Sequence, residues 1–183
     1  MFANLLYFVS TIAWYSFFFA LAAGHAYFYI QSFYRDDCWA SNNKHNNAVY
    51  TDSGQADKEH NISQNFRVVN MFGLIFFAFL SLTLMYLHAR LSCDRYYDPH
   101  DAFFLWMFAL FLLWCCYFLT LMIMRLRHAG CVCSGDFLPD KRLFHSEADP
   151  TYIHDNGNFL WYVMIAHAGF VVVMVSGAIS IID

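Results

Sequence analysis

The stretch that decides the fold occupies residues 102–124 and reads AFFLWMFALFLLWCCYFLTLMIM. It contains no Asp, Glu, Lys, Arg or His. A helix needs about 20 predominantly apolar residues to cross roughly 30 Å of hydrocarbon. Within lipid every backbone polar group must be satisfied inside the protein, and a helix does this with its own hydrogen bonds. The stretch therefore predicts a transmembrane helix.

Three further segments of the chain have the same apolar character. The four predicted spans cover about residues 2–34, 67–91, 102–124 and 159–182. Small residues follow the apolar part of the first segment, as in a signal peptide, but no positively charged region precedes it, so we expect it to remain as a span. The prediction is an all-α fold, a single four-transmembrane-helix bundle over residues 1–183.

The composition of the whole chain favours the same class of protein. Hydrophobic residues make up 60% and charged residues only 13%, whereas soluble domains carry roughly 25% charged residues. Aromatic residues make up 21%, more than one soluble core would hide, so we expect many rings to meet lipid. The net charge is −4 and no basic run is present, so nucleic acid is not an expected partner.

Two long polar loops, residues 35–66 and 125–158, are predicted on one face of the membrane. They carry most of the Lys and Arg residues, and the positive-inside rule then places them in the cytoplasm or the mitochondrial matrix. The sequon Asn61-Ile62-Ser63 points the other way, because Asn61 would be glycosylated only on a lumenal face. The charge rule carries slightly more weight. A multi-pass protein of the mitochondrial inner membrane or of the plasma membrane or endomembranes is expected.

Three cysteines in the polar loops are candidates for a disulfide: Cys38, Cys131 and Cys133. They would suit an oxidising face. No pair of cysteines has CxxC spacing, so neither a zinc site nor a thioredoxin-type motif is predicted. The sequence does not decide which of the three would pair.

Three histidines fall within or near the predicted spans: His25, His88 and His167. Ionisable groups at membrane depth are costly and often functional, and two histidines could ligate a haem between helices. At about 1.5 Å of rise per residue, however, the three lie at different depths. We therefore expect His25 and His88 at the interfaces, His167 bonded to a neighbouring helix, and no cofactor.

Arginines at the ends of the spans are predicted to contact lipid headgroups or a partner: Arg67, Arg90, Arg125 and Arg127. Long basic side chains can snorkel to phosphates at this depth, and bound phospholipids are expected. The segment 125–138 has a simpler interpretation, which we favour. Here the third helix ends and a compact connection follows, with tight turns at Gly130 and Gly135 closed by Asp136.

Long first and third loops, a short middle link and a cysteine-containing third loop give the chain a layout that resembles the MARVEL-domain proteins. The resemblance covers the whole chain and concerns its architecture. It implies a role in organising membranes, vesicles or junctions. It also implies that both termini lie in the cytosol, which agrees with the sequon and disagrees with the charge rule.

No catalytic motif of the HExxH, P-loop or GxSxG type occurs, and the predicted spans contain no carboxylate. We therefore predict a non-enzymatic structural, membrane-organising or accessory subunit of a larger membrane assembly. It would pack against lipids and against other transmembrane subunits or copies of itself. Two alternatives are a supernumerary subunit of a mitochondrial respiratory complex and a haem- or quinone-linked redox protein.

Overall fold

The structure is a computed structural model that describes residues 2–35, 37–45, 49–50, 59–93, 101–136 and 151–182. The described part is mostly helical, as predicted. Its helices are α1 (Phe2–Gln31), α2 (Ile62–Cys93), α3 (Asp101–Leu126), α4 (His128–Cys133) and α5 (Thr151–Ile182). Between α1 and α2 lie the strands β1 (Trp39–Ser41), β2 (Val49–Tyr50) and β3 (Glu59–Asn61). These strands were not predicted from the sequence.

Two segments of the described helices are long and apolar enough to cross a membrane, Ile62–Tyr86 of α2 and Leu105–Leu126 of α3. Large apolar side chains cover their outer surfaces, and Leu105 for example is 71% exposed. Apolar area in water costs about 25 cal/mol per Å². Surfaces of this kind are therefore suited to an apolar environment such as hydrocarbon or a protein partner.

The chain forms two compact units, and the first comprises Met1–Tyr29 and Asn70–Tyr117. Aromatic and imidazole side chains pack against one another in its interior. Phe77 stacks on His25 with ring centroids 5.6 Å apart, and Phe76 stacks on Tyr117 at 5.8 Å. Phe18 lies against Phe77 at 6.3 Å. Offset and edge-on aromatic pairs of this kind stabilise helix packing by about 0.5–1.5 kcal/mol each.

The second unit comprises Ile30–Val69 and Phe118–Asp183. Its strands form an antiparallel sheet in the order β2-β1-β3, in which Trp39 pairs with both Tyr50 and Asn61. The central strand β1 contacts α4. Ala40 and Ile62 are fully buried here, so this small sheet has a core of its own.

The helix boundaries differ from the predicted spans because hydropathy detects only the apolar part of a helix. Helix α2 begins at Ile62, although the polar stretch Ser63-Gln64-Asn65 had been assigned to the first loop. Asn61 caps this helix, since its Oδ1 accepts the backbone N–H of Gln64 at 2.8 Å. Helix α5 likewise begins at Thr151, ahead of the predicted span at 159.

Candidate functional site

The two long loops are joined covalently. Cys38, immediately before β1, forms a disulfide with Cys133 at the end of α4, across 95 positions of sequence. Both residues are buried. Cys131, the third candidate, is a free thiol. A second link runs from the backbone N–H of Ala129, which donates to Asn42 Oδ1 at 3.2 Å.

Arg125 lies in the last turn of α3, where the second loop begins, and is only 2% exposed. Its two terminal nitrogens donate to the two carboxylate oxygens of Asp136, at 2.7 and 2.8 Å. Its Nε donates to the carbonyl oxygen of Gly157 at 2.9 Å, and its guanidinium lies 5.6 Å from the Trp161 ring centroid. The planar fork of arginine suits this bidentate contact, and lysine could not reproduce it.

This arrangement corrects the prediction that Arg125 contacts lipid headgroups or a partner. The guanidinium points into the protein and closes the loop through Asp136. The favoured interpretation of the segment, a helix end followed by a compact connection, describes Arg125 better. The sequence indicates Asp136 as a turn residue but does not indicate that it is the counter-ion of Arg125. That pairing depends on how the chain folds back after α4.

Glycines allow the loop to pack this closely. A Cβ on Gly130 would collide with the carbonyl oxygen of Met124, and one on Gly135 would collide with the imidazole of His154. Gly135 also has a φ of +81°, which side-chain-bearing residues rarely adopt. We call the part of the second unit formed by β1, α4, residues 125–136 and the first turns of α5 the cap.

The free thiol of Cys131 is partly buried in the cap. Its Sγ lies 3.5 Å from the carbonyl oxygen of Arg125 and 3.6 Å from that of Leu126, and its single proton is shared between these two acceptors. Burial raises the pKa of this thiol above its usual range, and the neighbouring charge of Asp136 raises it further. Because the thiolate is the reactive form, Cys131 is poorly activated for exchange with the adjacent disulfide.

The sequon residues are part of the folded structure. Asn61 Nδ2 donates to Asp37 Oδ2 at 2.8 Å, and the Ser63 hydroxyl accepts the backbone N–H of Cys38 at 2.8 Å. Arg67 Nε donates to the Ser32 hydroxyl at 3.0 Å, and Arg67 Nη2 donates to the Ser32 carbonyl oxygen at 2.8 Å. The same Nη2 lies 3.7 Å from Asp37 Oδ1. A glycan on Asn61 would therefore compete with the contacts that hold the chain before Cys38.

In the first unit, His25 is fully buried and forms a hydrogen-bonded triad with residues of α2 and α3. Its Nδ1 lies 3.0 Å from Asn70 Oδ1, and its Nε2 lies 2.8 Å from the Tyr117 hydroxyl. The amide oxygen only accepts, so we assign the proton to Nδ1, and Tyr117 donates to Nε2. The ring is packed against Gly73, where a Cβ would collide with it. This burial differs from the interfacial position that the sequence predicted.

Of the other two histidine candidates, the structure describes the side chain of His167. His167 Nδ1 donates to the carbonyl oxygen of Val163, one turn earlier in its own helix, at 2.7 Å, and its ring stacks on Phe118. We had expected a bond to a neighbouring helix. The side chains of His88 and Arg90 lie outside the described residues. Among the residues that the structure describes, no group of three or more His, Cys, Asp or Glu side chains is placed to hold a metal ion.

No protein-family model, no curated protein and no solved structure matches the chain. The features that bear on function are therefore the cap, the buried triad and the exposed apolar surfaces of the helices.

Proposed function

We propose that this chain is a four-span membrane protein that serves as a structural or accessory subunit of a larger membrane assembly. Helices α1, α2, α3 and α5 would be the spans, and the cap would lie at one membrane face. The protein would act through the packing of its helices against other transmembrane subunits, copies of itself and lipid, with no reaction of its own.

The direction in which side chains point is the observation that carries this proposal. Two groups with acid–base or anion-binding capacity, Arg125 and His25, are committed to internal bonds, Arg125 to Asp136 and His25 to Asn70 and Tyr117. Large apolar side chains point outward instead. On α3 these include Leu105, Phe108, Leu112, Leu119 and Ile123. A protein arranged in this way presents its surroundings with surfaces for apolar contact.

The disulfide favours an orientation with the cap on an oxidising face of the membrane. Disulfides persist in the secretory pathway and outside the cell and are rare in reducing compartments. The Cys38–Cys133 bond therefore supports a lumenal or extracellular cap, against the charge rule, with both termini in the cytosol. The same reasoning disfavours the respiratory-complex alternative, because that alternative places the loops in the matrix.

The haem alternative has less support than the packing role. Both ring nitrogens of His25 are hydrogen-bonded, at 3.0 Å to Asn70 and 2.8 Å to Tyr117. Iron ligation by His25 would have to displace one of these partners and leave a polar group unsatisfied inside the first unit.

Site-specific photo-crosslinking in native membranes tests the packing role. A photoreactive residue is placed at Phe108 or Leu112, which are exposed on α3, and as a matched control at Leu110, which is buried on the same helix. We expect the exposed positions to form discrete crosslinked protein bands, and Leu110 to form none outside the chain. Mass spectrometry of the bands identifies other transmembrane subunits or a second copy.

The proposal fails if the exposed positions crosslink to lipid alone and the protein extracted in mild detergent migrates as a single 21.4 kDa chain. It also fails if the purified protein has a Soret absorption band that a His25→Phe or His167→Ala variant abolishes, because the haem alternative would then hold.

A further inference from the structure

Three arginines in or next to the cap, Arg67, Arg125 and Arg127, differ in whether a carboxylate lies near the guanidinium. Arg125 is paired with Asp136, and Arg67 lies 3.7 Å from Asp37. Arg127 is half-buried, and its Nη1 is 3.9 Å from the thioether sulfur of Met124. Within the described part of the chain no carboxylate pairs with Arg127. A thioether is a weak acceptor, so the strong donors of this guanidinium are not matched by an acceptor of comparable strength.

An apolar row leads along α3 to this cation. Leu119, Ile123 and Arg127 recur at intervals of four residues, and the backbone N–H of Arg127 donates to the carbonyl oxygen of Ile123 at 3.2 Å. The arginine therefore continues the helical row. Leu119 and Ile123 are 58% and 59% exposed, and Leu126 beside them is also exposed. The apolar segment of α3 ends at Leu126, so Arg127 is the first residue beyond it.

We infer that Arg127 and the row formed by Leu119, Ile123 and Leu126 bind one anionic phospholipid. The headgroup phosphate contacts the guanidinium, and an acyl chain lies along the three apolar side chains. The inference rests on the proposed function, because it needs α3 to span the bilayer with Arg127 at headgroup depth. It goes further by naming a residue-level site and the chemical class of its ligand.

Charge and apolar surface together specify this occupant. Guanidinium forms charge-assisted, bidentate hydrogen bonds with phosphate oxygens, and an unpaired arginine at the membrane surface attracts anionic lipid by about 1 kcal/mol. A free phosphate ion would bind the Arg127 guanidinium and make no contact with the apolar row. A phospholipid covers both, because its acyl chain begins directly beneath its phosphate.

Lipid-dependent thermal stability tests the inference. The full chain in mild detergent is titrated with phosphatidylglycerol, with phosphatidylcholine and with sodium phosphate, and the unfolding midpoint is followed. Wild-type protein is expected to be stabilised most by phosphatidylglycerol. The Arg127→Gln variant is expected to need about fivefold more of this lipid for the same shift, since one interfacial cation contributes about 1 kcal/mol. An Ile123→Asn variant, which removes an apolar side chain from the row, is likewise expected to need more phosphatidylglycerol for the same shift.

Lys44 provides the matched control, because it is an exposed cation of the first long loop and is not part of the row. Lys44→Gln is expected to respond to lipid as wild type does. The inference is overturned if Arg127→Gln responds normally, if Lys44→Gln loses as much, or if sodium phosphate stabilises wild type as well as the lipid does. Failure of the membrane role itself would be recognised separately, by folded protein recovered from buffer without detergent or lipid.

Discussion

Cys38 is bonded to Cys133, so a residue between α1 and β1 is fixed to the last residue of a short helix 95 positions later. The ring closed by this bond contains all of α2 and α3. The disulfide therefore joins the two polar loops independently of the noncovalent contacts around Arg125.

Removing this disulfide is expected to destabilise the cap. A disulfide that closes a long loop stabilises a fold by about 2–4 kcal/mol. Cys133→Ser should therefore lower the unfolding midpoint in detergent and abolish the mobility shift that a reductant produces on a gel. Cys131→Ser is the control and should change neither measurement, because Cys131 is a free thiol. Equal losses in both variants would show that the pairing described here is wrong.

Replacing Arg125 by lysine should be strongly destabilising although the charge is kept. Lysine cannot contact both oxygens of Asp136 and the Gly157 carbonyl from one planar group, and breaking a buried ion pair costs about 3–5 kcal/mol. Because Asp136 is partly exposed, we expect the lower end of this range. The unfolding midpoint of Arg125→Lys should fall well below that of Arg127→Lys, which provides a matched control on the same loop. Similar midpoints for the two variants would contradict the internal role of Arg125.

Gly135→Ala should destabilise the cap, whereas Gly169→Ala should not. At Gly135 the φ of +81° and the imidazole of His154 both oppose a side chain, and a residue held in a disfavoured backbone region costs about 1–3 kcal/mol. Gly169 lies in α5 with nothing within 4 Å of an added Cβ. Alanine there should be neutral or stabilising by up to about 1 kcal/mol. Denaturant or thermal unfolding in detergent compares the two variants directly, and a reversed order would refute the turn geometry.

Tyr117→Phe should weaken the packing of the first unit. The change removes the donor to His25 Nε2 and leaves a buried acceptor unsatisfied, at a cost of about 1–3 kcal/mol. Tyr162→Phe is the control, because Tyr162 is exposed on α5. The unfolding midpoint should fall for the first variant only. If Tyr117→Phe is as stable as wild type, the triad does not contribute to the fold.

Hydropathy alone could predict the helical character of the chain, because the long apolar stretches are apolar all round. That same uniformity hides which side of each helix faces inward. His25, Asn70 and Tyr117 come from three helices, and nothing in their spacing indicates that they meet. Asn70 could have been noticed as an isolated amide near the start of an apolar run, which is a common sign of an internal hydrogen bond in a membrane helix.

The cap was less predictable than the helices. Its disulfide pairing and the burial of Arg125 depend on contacts between residues far apart in sequence. The strands were missed because they are two or three residues long and carry no clear alternation. The glycines and Asp136 did indicate a compact connection after α3, since backbone freedom and turn-forming side chains are local properties.

The state and accessibility of Cys38 and Cys133 test the central claim, that the two long loops form a cap on the oxidising face of a membrane protein. Sealed membranes of known orientation are treated with a membrane-impermeant reductant and then with an impermeant maleimide that adds mass. We predict that both cysteines are oxidised beforehand and are labelled only when the reagents reach the lumenal or extracellular side. Free thiols at Cys38 and Cys133 before reduction, or labelling of these two residues only from the cytosolic side, would contradict the account.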